Sequence, residues 1–165
     1  MLPYYLPTGR QAVLLIIKTM LKIITFRDPD SAFLYRPSKK IADFDKKLKK
    51  IAEDLKNTLL RNDGLGLAAP QVGKNIAICV IRTGKSVESF CNPEITAKSA
   101  EKDKMEEGCL SFPNVFLEVT RPRAITLTYQ NIEGKKKKIE AAGLLARTLQ
   151  HEIDHLNGVA FIERT

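Results

Sequence analysis

Histidine is nearly absent from this chain. Two occur in 165 residues, and both fall in one stretch, Leu149-Gln150-His151-Glu152-Ile153-Asp154-His155-Leu156. Cysteine is scarce and odd in number: Cys79, Cys91 and Cys109, without close spacing. That argues against a disulfide framework and for reduced thiols, as in the cytoplasm or an organellar matrix or stroma. Long apolar runs are missing too. None exceeds six residues, whereas a membrane helix takes about 20. The run from Ala12 to Ile17 has neither the charged start nor the small-residue cleavage site of a signal peptide. No membrane partner is expected.

What is present is ordinary for a single soluble domain with a hydrophobic core: 44% hydrophobic and 28% charged residues. The net charge is +8, carried by two lysine patches. One comprises Lys39, Lys40, Lys46, Lys47, Lys49 and Lys50, assigned to a helix; the other is Lys135 to Lys138, at a hairpin tip. Neither interleaves aromatic residues, as a base-stacking surface would. Sequence-specific nucleic-acid binding is therefore not expected. The patches read first as solvated surface, and second as an attraction to a polyanion such as the ribosome.

Residues 1–19 differ from the rest and read as an N-terminal extension or a misplaced start, with Met20 opening the domain proper, 20–165. Three- and four-residue apolar spacing predicts an amphipathic helix near residues 43–60. "NDGLGLAAPQVG" reads as a loop, and "NIAICVIR" as a buried strand. "FCNPEI" reads as an edge or a strand end because of Pro93. Residues 109–119 read as extended, and residues 123–141 as a hairpin around Glu133-Gly134. A helix then carries both histidines and stops near Gly158. The expected class is α+β: small antiparallel or mixed sheets packed around a central C-terminal helix carrying "HEIDH", with the second helix near 43–60.

His151 and His155 are four residues apart, so on a helix they share a face and reach one metal ion. Glu152, between them, suits a proton acceptor for a metal-activated water. Asp154 suits a supporting position, paired with a cation such as Arg121 or Arg123. The neighbours Leu145, Leu149, Ile153 and Leu156 are apolar, so the helix lies against the core. Two imidazoles and two carboxylates buried there need a partner, and a metal supplies one.

A catalytic site of this type takes three protein ligands. No third histidine exists, and Glu163 is the only carboxylate downstream. A thiolate from upstream is the better donor. Cys79 sits in an apolar strand and Cys91 has no evident role, whereas Cys109 lies in polar surroundings after Gly108, so Cys109 is favoured over both.

These segments resemble a known family. "GLGLAAPQ" (64–71), "EGCLS" (107–111) and "QHEIDH" (150–155) are similar, in order, to the three signature motifs of peptide deformylase. The likeness runs from about Met20 to the C-terminus. It implies removal of the formyl group from N-formylmethionyl nascent peptides, with release of formate. It implies one metal ion per chain on Cys109, His151 and His155. Ligand type alone suggests Zn2+; the resemblance implies Fe2+, with Zn2+ or Ni2+ able to substitute. It further implies Glu152 as the proton shuttle, and Gln71 and the Leu110 backbone N–H as oxyanion donors. The substrate would lie along Gly66, with Leu65, Glu107 and Thr148 bordering the methionine pocket. Arg121 would pair with Asp154. The alternatives are a metallopeptidase without need of a formyl group, and a metal-stabilised module binding RNA through its basic surface.

Overall fold

The structure is a computed structural model that describes residues 20–165. The expectations placed on residues 1–19 lie outside the described residues. Helix α1 spans Lys46–Arg61. Asp45 begins it: its side chain accepts from the Leu48 N–H at 2.8 Å, satisfying an amide with no helical partner. The helix thus starts three residues after Asp43, and Lys39 and Lys40 precede it. Leu48, Ala52, Leu55 and Leu59 form its buried stripe.

Strands β1 (Gly66–Ala68), β2 (Ile78–Thr83) and β3 (Ser86–Lys98) follow, then β4 (Lys102–Cys109) and β5 (Phe112–Pro122). Strands β6 (Ala124–Gln130) and β7 (Lys136–Ala142) lead into helix α2 (Gly143–Leu156). Five strands form an antiparallel sheet in the order β1-β2-β3-β6-β7, while β4 and β5 pair separately. The α+β order expected from the sequence is the order found.

The two helices cover opposite faces of the larger sheet. Ile78 and Val80 of β2 pack with Leu48, Leu55 and Leu59 of α1. Cys79 and Ile81, the alternate residues, pack with Ala146, Leu149 and Ile153 of α2. Side chains alternate faces along a strand, so a strand covered on both sides must be apolar throughout, and β2 is. A third cluster, with Ile24, Leu34, Phe112, Val119 and Phe161, joins the smaller sheet to the C-terminal turn. No helix of the described residues is long and apolar enough to cross a membrane.

Three expectations need correction. The stretch 62–73 is not a loop throughout: strand β1 and the 3-10 turn Ala69–Val72 lie within it. Pro93 does not mark an edge or a strand end: β3 runs 13 residues between β2 and β6. The β3–β6 register slips between Cys91 and Glu94, and Asn92 adopts φ 48. Proline is tolerated inside a sheet at such a bulge. Within the stretch 109–119, residues from Phe112 on belong to the return arm of a hairpin whose first arm, β4, ends at Cys109 and gave no signal. Strand β4 is charged and mostly exposed on both faces, so no apolar alternation marks it.

Helix α2 ends at Leu156, and Gly158 (φ +74) turns the chain away. A Cβ on Gly158 would lie 2.8 Å from the Tyr35 carbonyl oxygen, so a side chain is excluded there by space as well as by backbone conformation.

Candidate active site

Helix α2 lies between the two sheets, and every residue from Ala146 to Leu156 is buried. Seven of these are polar or charged, and each buried polar group needs a partner. The Gln150 amide donates to the Pro122 and Ala146 carbonyls at 3.0 Å each. The Thr148 hydroxyl donates to the Leu144 carbonyl at 2.9 Å. Asp154 accepts from Arg121 Nη1 at 2.7 Å and also pairs with Arg164.

Glu107, on β4, is the hub of a buried network. Its carboxylate accepts from Arg121 Nε at 2.7 Å and Nη2 at 3.0 Å, and from Arg147 Nη1 at 2.6 Å. Its Oε2 lies 3.0 Å from His151 Nδ1. Burial opposes ionisation of Glu107, but the hydrogen bonds from His151 and Arg121 outweigh it and hold its pKa at about 2. A carboxylate on Nδ1 leaves the other ring nitrogen of His151 free to serve as a ligand.

Cys109, at the end of β4, faces the two histidines. Its Sγ is 3.2 Å from His155 Nε2. The ligand atoms of Cys109, His151 and His155 all lie within 4.8 Å of one another. Burial, with the charges of His151 and Arg121, pushes the His155 pKa well below its usual range, toward the neutral form that ligates metals. His155 Nδ1 and Glu152 Oε2 are buried without a hydrogen-bond partner. A thiol and two imidazoles converging in one place, with an unpartnered buried carboxylate oxygen on the same helix, fit a divalent transition metal.

Glu152 points to the same space. Burial pushes its pKa up to about 7, although His151 and Arg121 act the other way. A carboxyl near neutrality can both accept and return a proton. Gly66 of β1 lies directly against it: a Cβ there would sit 2.5 Å from Glu152 Oε1.

Gln71 lies in the short 3-10 turn Ala69–Val72. The Ala68 N–H donates to Gln71 Oε1 at 2.8 Å, which turns the NH2 end toward Ser111 Oγ (3.1 Å) and Cys109 Sγ (3.5 Å). Most of the group opens on a cleft of about 570 Å³. Leu65, Gly66, Gln71, Leu110, Thr148 and Glu152 are among its walls, together with Glu107, Cys109 and His151. Asp154, Arg121 and His155 are not among its walls.

Comparison with known proteins then decides the family. The sequence pattern of the polypeptide deformylases matches residues 20–165. The chain belongs to the peptide deformylase family. It is 45% identical over 136 residues to the peptide deformylase of Synechocystis sp., covering 79% of this chain and 73% of that one. To the peptide deformylase of Thermotoga maritima it is 43% identical over 145 residues, covering 88% and 87%. The crystal structure of the Thermotoga maritima enzyme superposes with a TM-score of 0.83, over 88% of this chain and 97% of that one. A peptide deformylase from Synechococcus elongatus in complex with actinonin superposes equally well, at 37% identity, over 88% and 78%. Peptide deformylases are metal-dependent hydrolases that remove the N-formyl group from nascent peptides, and this is the activity of the chain.

Three details of the site bear on the sequence readings. Glu107 was expected to border a methionine pocket. It does line the cleft, but its carboxylate is consumed by Arg121, Arg147 and His151. Arg123, the alternative partner for Asp154, pairs with Glu101 at 2.7 Å. Glu163, the downstream carboxylate, accepts from the Ala160 N–H at 3.0 Å and is not in the metal-type cluster. Three residues that pair with the expected site residues had no role in the sequence reading: Arg147 with Glu107, Arg164 with Asp154 and Ser111 with Gln71. Arg147 had a signal, since it precedes His151 by four residues and so shares the buried face of the same helix.

Proposed function

We propose that Cys109, His151 and His155 hold one metal ion per chain, physiologically Fe2+, with Zn2+ or Ni2+ able to substitute, and that Glu152 moves the protons of deformylation. Bound there, the metal supplies Lewis-acid activation of the attacking water and of the formyl oxygen. Glu152 accepts a proton from that water as its oxygen bonds to the formyl carbon. The carboxyl then returns the proton to the departing amine as the C–N bond breaks, leaving formate and a free N-terminus. Gln71 Nε2 and the Leu110 backbone N–H donate to the oxygen on which negative charge develops. Because Gln71 is pinned through its other end by Ala68, its donor is fixed before reaction, which is what makes such donors effective.

Strand β1 is the outer strand of the five-stranded sheet, so its free edge can take an extended peptide as an added strand. Gly66 places that backbone against Glu152. The methionine side chain enters the cleft beside Leu65, Glu107 and Thr148, with the Thr148 hydroxyl turned to Leu144 so that its methyl is available. Arg121 and Asp154 brace α2 from behind. Residues 20–165 form the catalytic domain. The partners are N-formylmethionyl nascent peptides, met at the ribosome through the basic surface, in the cytoplasm or an organellar matrix.

The single observation that carries the assignment of roles is the position of Glu152. It is buried, has an unpartnered oxygen, and lies between the Cys/His/His cluster and the strand edge at Gly66. The test uses anaerobically purified protein and formyl-Met-Ala. Formate release with no cleavage of unformylated peptides is expected. Cleavage of unformylated peptides at a comparable rate would instead identify a general metallopeptidase.

A further inference from the structure

The 3-10 turn Phe161–Arg164, which follows α2, touches the metal-type cluster at both of its ends. At the first end, Phe161 is buried with its ring centroid 5.7 Å from that of His151. Phe112 packs edge-on against the same phenylalanine at 5.6 Å and holds it in the core. The Ala160 N–H donates to Glu163 Oε1 at 3.0 Å, which closes the turn. At the far end, Arg164 meets Asp154 with a two-pronged contact. Its Nη2 donates to Oδ1 at 2.5 Å, and its Nε to Oδ2 at 3.1 Å.

From Asp154 a line of charged contacts runs inward. Asp154 Oδ2 also accepts from Arg121 Nη1 at 2.7 Å. Arg121 Nε and Nη2 grip Glu107 at 2.7 and 3.0 Å, and Glu107 Oε2 lies 3.0 Å from His151 Nδ1. Arg164 is the outermost member of this line. An ion pair between two exposed groups contributes little, and Arg123–Glu101, with side chains 55% and 66% exposed, is of that kind. The Arg164–Asp154 pair is not. The arginine is 46% exposed, but the aspartate only 10%. Among the described residues, Arg164 is the one side chain that donates to Asp154 Oδ1. Without it, Arg121 would hold the carboxylate by a single oxygen. The group could then turn, and Oδ1 would lose its donor.

We propose that Arg164 is a positioning residue for the metal site. By holding both oxygens of Asp154 it fixes Arg121 and Glu107, and through them the orientation of the His151 ring. The inference rests on the reading of Cys109, His151 and His155 as ligands. Partners behind a ligating imidazole set its orientation and its basicity. Here the line of partners does not stop at Glu107 but continues to a half-exposed arginine on a separate element. The turn therefore acts on His151 twice, by packing through Phe161 and by charge through Arg164. The surroundings of Arg164 make this separable from simple packing. Asp154 and Arg164 line a second cavity of about 470 Å³, which shares no wall residue with the substrate cleft. Truncating Arg164 widens that cavity beside Asp154. A small guanidinium ion can then enter and take the place of the lost side chain without touching the peptide site.

The test uses the full chain loaded with Co2+, whose thiolate absorption reports the geometry of the ligand set. The parent is compared with Arg164→Ala and with Arg123→Ala, which removes an exposed pair. Arg164→Ala should show a displaced absorption band and release Co2+ to a chelator about tenfold faster. Its kcat for formate release from formyl-Met-Ala should fall about tenfold, with KM changed far less. Arg123→Ala should match the parent in every respect. Millimolar methylguanidinium should return the band, the release rate and kcat of Arg164→Ala toward parent values. Methylammonium, which has the charge without the planar fork, should do much less. Recovery within one sample shows that the variant is folded. Parent-like absorption and kcat in Arg164→Ala would overturn the proposal. So would a loss that methylguanidinium reverses no better than methylammonium, since that is a general loss of packing. Absence of thiolate absorption in the Co2+-loaded parent would overturn the ligand assignment, and this proposal with it.

Discussion

Arg147 Nη1 lies 2.6 Å from Glu107 Oε1, and that contact ties the helix bearing both histidines to the hairpin bearing Cys109. The same guanidinium donates to the Val119 carbonyl at 2.9 Å and, through Nη2, to the Asp103 carbonyl at 2.7 Å. It thus touches both strands of the hairpin. The three proposed ligands come from two separate elements, so their spacing depends on this junction.

Replacing Arg147 by methionine keeps the bulk and removes the junction. Breaking a buried pair from one side costs about 3–5 kcal/mol, so the variant should unfold at markedly lower denaturant concentration. It should also lose metal to a chelator faster than the parent. Arg147→Lys, which keeps the charge but not the fork, should fall between the two. Equal rates of metal release in parent and Arg147→Met would show that the junction does not set the ligand spacing.

Gly66→Ala tests the contact between β1 and Glu152. The added methyl would sit 2.5 Å from Oε1, so the carboxylate or the strand must shift. A stability loss of about 1–3 kcal/mol is expected from overpacking, with a lower kcat for formate release. Full activity in Gly66→Ala would mean that the position of Glu152 tolerates displacement.

Gln71→Ala removes a donor whose orientation Ala68 and Ser111 fix. Loss of one such donor lowers kcat by about 100- to 1,000-fold, with KM changed far less. A change confined to KM would assign Gln71 to substrate binding instead.

The three thiols should differ in a native labelling experiment. Burial pushes the Cys79 pKa well up, with Glu152 adding to it, and pushes Cys91 up to about 12. Both are fully buried, whereas Cys109 is only partly so. A single thiol should react in the folded protein, and Cys109→Ser should abolish that reaction. Added Zn2+ should slow it, because a bound thiolate is not free to attack. Reaction of Cys79 or Cys91 at a similar rate would contradict the packing described for β2 and β3.

Much of this was legible in the sequence, for identifiable reasons. The stripe of α1 and the continuous apolar run of β2 are direct consequences of one-sided and two-sided burial. The helical spacing of His151 and His155, with no third histidine, directed attention upstream to Cys109. What was hidden depended on partners distant in the chain. Strand β4 is recognisable only from its pairing with β5. Pro93 sits in an interior strand only because a bulge removes the need for its missing N–H. Glu107 cannot be seen as a hub without knowing that Arg121, Arg147 and His151 converge on it.

The most direct test compares formate release from formyl-Met-Ala by the parent protein and by Glu152→Ala, with metal content measured on the same anaerobic samples. Both should hold about one metal ion per chain, because Glu152 is not among the Cys/His/His ligands. Turnover by Glu152→Ala should fall by at least about 100-fold. Turnover at the parent rate with metal retained, or no formate from the metal-loaded parent, would contradict the mechanism.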